Sequence, residues 1–374
     1  MKRLRKILNP VVFIGNMILL ILFIFSCFTP YVNTGIYWWI ALLGLTFPVL
    51  LFAVFCLLIY YLIKRSKWAF LNIIILILGI QQIRATVAFN AKNNYLQNNT
   101  ADDIKILQWN VKSWDQLRLE QSGDFHGESF QPKMMSFLKE SNADIMCFEE
   151  FFEGTDTSKF KSNIAQIKAI GYPYFYFRHG DLLDGIYFSG DAIFSKFPIL
   201  DTASINGDSI HNNAILIYAD VQLPGKKIRV FATHLQSVGF TDDQYTAIQD
   251  LKKGEESGIK QSRTIIGKLK RAYGYRYKQS LIVKQHLNES PWPTLLCGDF
   301  NDVPNSNTYF TISKNMQDAF LKKGTFIGRT FRYIFPTLRI DYVLTDKNFE
   351  IKNFKVLRIP YSDHYPVESI IRLK

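Results

Sequence analysis

Hydrophobic residues run through this chain in two rhythms, and the change from one to the other falls near residue 90. Residues 10–32, PVVFIGNMILLILFIFSCFTPYV, carry no charge. They are long enough to cross a bilayer, which takes about 20 residues. Residues 37–63, YWWIALLGLTFPVLLFAVFCLLIYYLI, form a second uncharged run. A third, from Trp68 to about Phe89, is less clean, because Gln81, Gln82 and Arg84 follow its apolar core NIIILILGI. The pattern predicts two to three transmembrane helices over residues 1–90. A cleaved signal peptide would have a shorter apolar stretch and no second span directly behind it.

Residues 91–103, AKNNYLQNNTADD, are polar and unpatterned and read as a linker. Short β-branched and aromatic runs follow: 104–111, 143–150, 191–199, 214–223, 227–235, 294–301, 339–345 and 367–374. Their composition and alternation suit strands, and Pro224-Gly225 suits a tight turn between two of them. Helical spacing occupies 131–141, 157–169 and 261–288. Residues 104–374 therefore predict one α/β or α+β domain around a mixed sheet.

Charge sharpens this division. The chain carries a net +12, yet residues 1–90 hold no acid and eight bases. Removing those eight from 44 leaves 36 Lys and Arg against 32 Asp and Glu, or +4. That is weak support for a dedicated nucleic-acid binder. The bases of the first third flank the apolar runs, in MKRLRK and KRSK, while the connection near Thr34 has none. The positive-inside rule puts both basic segments in the cytoplasm. Three spans then deliver the large domain to the extracytoplasmic, periplasmic side; two would leave it in the cytoplasm. Cys27, Cys56, Cys147 and Cys297 form no C-x-x-C pair and lie in apolar runs, which argues against zinc.

Candidate chemistry sits at the ends of the predicted strands. Asn110 closes one, Glu149 and Glu150 another, His234 a third, and Asp299 and Asn301 a fourth. Asp341 lies in RIDY, and Asp363-His364 in SDH before the last strand. One strand-end Asp or Asn is ordinarily a turn or cap residue. Gathered at one sheet edge, the set would offer carboxylates to a hard divalent cation and histidines for proton transfer.

The motifs ILQWNV, DIMCFEE, GDAIFSKFPI, FATHLQS, LLCGDFNDVPNS, RIDYVL and YSDHYPV resemble, in order, the signatures of the endonuclease/exonuclease/phosphatase superfamily. The resemblance covers about residues 104–374 and implies a four-layer α/β sandwich behind the transmembrane helices. It implies a metal-dependent phosphoric ester hydrolase using Mg²⁺ or Mn²⁺. Glu150 matches the metal-binding glutamate, and Asn110 and Asp363 its metal-site neighbours. His364 matches the histidine acting on the attacking water or the phosphate, and Asp341 the carboxylate that orients it. Asp299 and Asn301 match the pair flanking the nucleophile, and His234 a second histidine. The family usually has Gln before the metal glutamate, where this chain has Glu149. Strand alternation predicts that Glu149 points away from Glu150, across the sheet.

A membrane anchor suits a lipid head group, whose phosphate lies at the interface, better than a chromosome. The aromatic and basic stretch 325–339 leans the same way, as do the bases of 261–278. The expected function is hydrolysis of a lipid head-group phosphodiester. A tethered nuclease on DNA or RNA, an inositol phosphate phosphatase and a non-catalytic binding module are the alternatives. The expected partners are the lipid bilayer and the phosphoester substrate, and nothing in the chain marks a protein partner.

Overall fold

A computed structural model of the chain describes residues 2–90, 100, 102–117, 129–156, 159–207 and 214–374. Most of the predicted linker, 91–99 and 101, lies outside the described residues.

The apolar third folds into α1 (Lys2–Cys27), α2 (Trp38–Leu45), α3 (Phe47–Ile63), α4 (Trp68–Leu78) and α5 (Ile80–Thr86). Among the described residues, Pro10–Tyr31 is the one stretch long and apolar enough to cross a membrane by itself. The other two predicted spans are bent, by 61° between α2 and α3 and by 64° between α4 and α5. Pro48 explains the first bend: it has no N–H to offer the Gly44 carbonyl, so α2 ends and a new helix starts. Gly79 marks the second, where the Phe23 ring packs so close that a Cβ would meet it at 2.8 Å. Leu20, Phe23, Phe47, Val54 and Ile75 form the bundle core, while Ile14, Ile18, Phe52, Phe55 and Ile77 face outward and exposed. Exposed apolar area on that scale marks a membrane or partner surface.

The remainder of the chain contains β2 (Asp103–Asn110), β3 (Ile145–Gly154), β4 (Tyr174–His179), β5 (Tyr187–Ser195), β6 (Ile199–Asn206), β7 (Ala214–Leu223) and β8 (Lys226–His234). After them come β9 (Thr294–Asp299), β10 (Gln317–Asp318), β11 (Thr325–Phe326), β12 (Asp341–Thr345), β13 (Phe349–Val356) and β14 (Val367–Leu373). One six-stranded sheet runs β13-β14-β2-β3-β5-β4 and the other β10-β12-β9-β8-β7-β6. Their inner faces bury Ile106, Ile145, Cys147, Val230, Cys297 and Val343 against each other. Helices Gln131–Ser141 and Asn163–Ala169 cover the outer face of the first sheet, and Glu256–Asn288 and Asn307–Ser313 that of the second. The result is a four-layer sandwich with the apolar alternation of each strand directed at one of three cores.

Several local expectations change. The predicted strand 191–199 is two: β5 stops at Ser195, and β6 begins at Ile199 after Pro198, which cannot donate to a ladder. The predicted helix 157–169 begins at Asn163, because the Ser162 side chain caps it by accepting from Ala165 N–H; residues 157–158 are outside the described set. A further helix, Asp242–Lys253, opens on a capping box of Thr241 and Gln244. The bases of 261–278, read above as leaning toward a lipid substrate, are partly engaged within the protein. Arg276 is 1% exposed and pairs with Asp302, and Lys270 lies over the Trp38 ring. In the stretch 325–339, Arg339 is fully buried, 2.7 Å from Asp318.

The two halves are tied together. The strand Ala88–Phe89 (β1) pairs with β11, Asn305 Nδ2 donates to Ser26 O at 3.0 Å, and Asn307 Nδ2 to Pro30 O at 2.9 Å. Arg339 donates to Ala85 O at 3.0 Å. These contacts use the end of α1, its connection to α2 and the end of α5. The Lys64–Lys67 turn instead lies beside the early part of α1, where Phe13 meets Trp68 at 4.5 Å between ring centroids.

Candidate active site

Strand register assembles the site. Two parallel pairs, β2 with β3 and β8 with β9, end together, so Asn110 stands beside Glu149 and His234 beside Asp299. The antiparallel β12 starts at the same edge, placing Asp341 opposite Asp299. The SDH loop closes over this edge. Trp109 Nε1 donates to His364 O at 3.0 Å, and the Ser362 hydroxyl donates to Asn110 O at 2.8 Å.

Glu149 departs from the expectation that it points away. Residues Glu149 and Glu150 together oppose the one residue Asp191, a β-bulge in which Glu150 takes φ 51°. The bulge breaks the two-residue alternation. Glu149 stays on the inner face, fully buried, accepting from Gln108 Nε2 at 2.8 Å, while the same amide donates to Asp341 at 3.0 Å. Glu150 is turned to the rim of the same site, where Asn110 Nδ2 donates to it at 3.0 Å.

The remaining predicted residues meet there. His364 Nδ1 donates to Asp341 at 3.0 Å, and its Nε2 lies 3.6 Å from Asp299. Asn110 Nδ2 also reaches Asp299, at 3.2 Å, and Asn301 donates its backbone N–H to Asp299 at 2.7 Å. His234 sits 3.9 Å from both Glu150 and Asp299. Asp363 lies on the opposite lip, 3.1 Å from Lys112 Nζ.

Three residues were missed from the sequence. Asp191 lies 3.8 Å from His234 Nδ1, and its place in the GDAIFSKFPI motif was the available signal. Gln108 is a polar residue on the inward face of β2, following Ile104 and Ile106 and two before Asn110. Lys112 follows Asn110 by two and supplies the cationic counterpart to Asp363.

Crowded acids set the electrostatics. Burial and neighbouring carboxylates push Asp191 up to about 7 and Asp299 up to about 6, and Glu149 well above the usual range. Burial works to lower His364, but the Asp341 and Asp299 charges outweigh it and hold the imidazole well above its ordinary value. Burial likewise works to lower His234, but the Asp191, Asp299 and Glu150 charges together outweigh it and raise the imidazole. Burial tends to raise Asp363, yet His364 and Lys112 bring it below the usual range.

A stability prediction follows from these signs. Without divalent cation, the native state binds more protons than the unfolded chain at the raised groups of the site; there Asp363 runs the other way. The penalty on the acids is absent near their unfolded values and grows as pH climbs to about 6 and about 7. The histidine contributions are complete below their unfolded value and fade as pH passes the raised folded one. Each extra native proton is worth about 1.4 kcal/mol per pH unit. In EDTA, Tm is therefore expected to fall by ~5 °C or more between about pH 5.5 and pH 8. Mg²⁺ should restore more stability at the higher pH, and Glu149→Gln should flatten the slope. Thermal melts across that range check this; a flat or rising Tm in EDTA would refute it.

The donor set fits a hard cation. The carboxyl groups of Glu149, Glu150, Asp191, Asp299, Asp341 and Asp363 gather around His234 and His364, with Lys112 and Arg332 at the lip. Glu149 Oε1 is buried without a hydrogen-bond partner. Asp299, Asp341 and His364 offer ligand atoms within 4.8 Å of one another. Oxygen donors in excess suit Mg²⁺ or Mn²⁺.

Comparison with known proteins agrees with this geometry. Residues 107–364 match the Endonuclease/Exonuclease/phosphatase family, and residues 5–86 match a domain of unknown function (DUF8431). No curated protein matches the chain at significance. Among solved structures, it is similar to an endonuclease/exonuclease/phosphatase from Beutenbergia cavernae DSM 12333, with 20% identity, TM-score 0.53, and coverage of 73% of this chain and 72% of that one. The human Nocturnin catalytic domain is similar at 16% identity and TM-score 0.50, covering 74% of this chain and 96% of that one. A Bacteroides thetaiotaomicron family protein gives 17% identity and TM-score 0.50, covering 73% and 95%. These likenesses show a shared fold. With the family match spanning more than half its length, the chain belongs to the endonuclease/exonuclease/phosphatase family, the metal-dependent phosphoester hydrolases.

Proposed function

We propose that this enzyme is a membrane-held phosphodiesterase that uses Mg²⁺ or Mn²⁺ to hydrolyse the head group of a phospholipid or sphingolipid. In this reading residues 1–90 are the anchor and 104–374 the catalytic domain. The observation that carries it is the seat of the catalytic loop. Asn305 and Asn307, four and six residues past Asn301, bond to Ser26 O at the end of α1 and Pro30 O in the turn that follows it. An enzyme so placed works on phosphates that already lie at the interface, at high local concentration.

Asn110, Glu150 and Asp363 would hold the cation. The chemistry such a cation would supply there is positive charge to offset that building on a non-bridging phosphate oxygen in the crowded transition state. The protein's own groups divide the proton work. Asp299, raised to about 6, is ionised at neutral pH and basic enough to take a proton from water. His364, kept protonated by Asp341 and Asp299, donates toward the phosphate. His234, backed by Asp191, donates from the other side, and the Asn301 backbone N–H holds Asp299 in place.

The test is the full-length protein in nanodiscs, supplied with Mg²⁺ and, in parallel, phosphatidylcholine, sphingomyelin, inositol phosphates, plasmid DNA and RNA at two salt concentrations. Head-group release is expected, with nucleic acid a poorer substrate. DNA cleavage that collapses as salt rises, beside untouched lipid, would overturn the lipid reading. Topology is part of the proposal. The basic turn lies at one end of the bundle and the catalytic domain packs on the other, which supports an extracytoplasmic domain. A fluorescent protein that matures only in the cytoplasm, fused after Lys374, should stay dark; bright cells would show that the third run does not cross.

A further inference from the structure

The catalytic cluster opens into a cavity of about 1070 Å³, at the upper end of ligand-site size. Its two ends differ in chemistry. At one lie Glu150, Asp299, Asp363 and His364, with Lys112 and Arg332 at the lip. The other is an apolar arm walled by Leu45, Phe240, Tyr245, Leu251, Ile265 and Leu338. These come from α2, the loop before helix Asp242–Lys253, that helix, helix Glu256–Asn288 and the segment leading into β12.

The arm is built into the fold. Val303, Phe331, Leu338 and Ile340 form a buried cluster against which Leu45 and Tyr245 pack. Phe331 joins the two ends, its ring edge-on to His364 at 5.0 Å between centroids. The charges that border the arm are already engaged. Arg276 pairs with Asp302 at 3.3 Å, and Lys252 Nζ donates to Ile334 O. Thr34 in the α1–α2 connection donates to Tyr273 O at 3.4 Å, so the helix forming one wall rests on the bundle.

An apolar wall beside a phosphoester centre offers little to a sugar or an inositol, whose hydroxyls would lose their water without replacement. It suits a chain of methylenes. We infer that the arm binds the hydrocarbon tail of an amphiphilic phosphoester, which leaves the bilayer past the end of α2 and lies with its phosphate among Glu150, Asp299 and His364. This deepens the lipid reading and rests on it. Leu45 argues for the route, because it belongs to the bundle and to the arm at once.

The test uses full-length protein in nanodiscs, Mg²⁺, and a series of p-nitrophenyl alkyl phosphodiesters from ethyl to decyl, each below its aggregation concentration. In the wild type, kcat/KM should rise about fourfold per added methylene, chiefly through KM. Ile248→Trp and Leu251→Trp, at half-buried positions that both line the cavity on helix Asp242–Lys253, should each flatten the decyl-to-ethyl ratio toward one. Because the ratio is read within one preparation, a lower folded fraction cancels. A rise kept intact in both variants would trace it to partitioning into the disc and overturn the inference. A flat wild-type series with brisk head-group release from the disc lipid would also overturn it, leaving the lipid reading in place. No head-group release and no alkyl preference would remove both. Preference for thymidine 5′-p-nitrophenyl phosphate, lost selectively in the two variants, would assign the arm to a base instead.

Discussion

Alanine at His364 or at Asp341 is expected to lower kcat/KM by roughly 10³–10⁴-fold, and the double variant to be little worse than either single one. The two side chains form one device. His364 Nδ1 donates to Asp341 at 3.0 Å, which fixes the ring so that Nε2 faces Asp299 at 3.6 Å. Asp341 is itself held by Gln108 Nε2 at 3.0 Å, and its backbone N–H by the Thr330 hydroxyl at 3.2 Å. Without Asp341, the imidazole loses both its orientation and the charge that keeps it protonated. Without His364, the carboxylate has no proton donor to orient. Groups acting as a unit lose their effect together. Kinetics of the two singles and the double, with melts to confirm folding, measure the coupling. Independent, additive losses would show that the contact is structural.

The second large effect is expected at Glu150. Glu150→Gln should cost at least the ~10–100-fold that loss of an outer-shell partner costs a metal site, and should raise the Mg²⁺ concentration needed for half-maximal rate. It removes one negative charge from a rim that Asn110 and the bulge present to the cleft. Glu149→Gln is expected to be mild at saturating Mg²⁺, because a fully buried carboxyl held well above its usual range resembles a neutral amide. Titrating both variants with Mg²⁺ separates them. A dead Glu149→Gln beside an active Glu150→Gln would reverse the assignment on β3.

Much of the site was legible in the chain because strand ends are local facts. Asn110, His234 and Asp299 each close an apolar strand and Asp341 opens one, and the order of their motifs carried the family. The backbone ladder then brings them to one edge through the parallel pairings of Asn110 with Glu149 and His234 with Asp299. The apolar third was equally legible as membrane-compatible, since uncharged length needs no tertiary context.

Other features depended on residues far apart in sequence. Alternation predicted opposite faces for Glu149 and Glu150, but a bulge is created by pairing two residues against Asp191, some 40 positions away. The same pairing places Asp191 beside His234 and lets Gln108 bridge Glu149 to Asp341, contacts that no single-strand pattern contains. The bends at Pro48 and Gly79 divide runs that composition alone reads as continuous. Periodicity along the chain says which face of an element is apolar and which residue ends it. It does not say what will pack there. The docking of Asn305 and Asn307 on the end of α1, and the joining of Leu45 to Phe331 and His364 through one apolar cluster, were decided by three-dimensional packing between segments more than 250 residues apart.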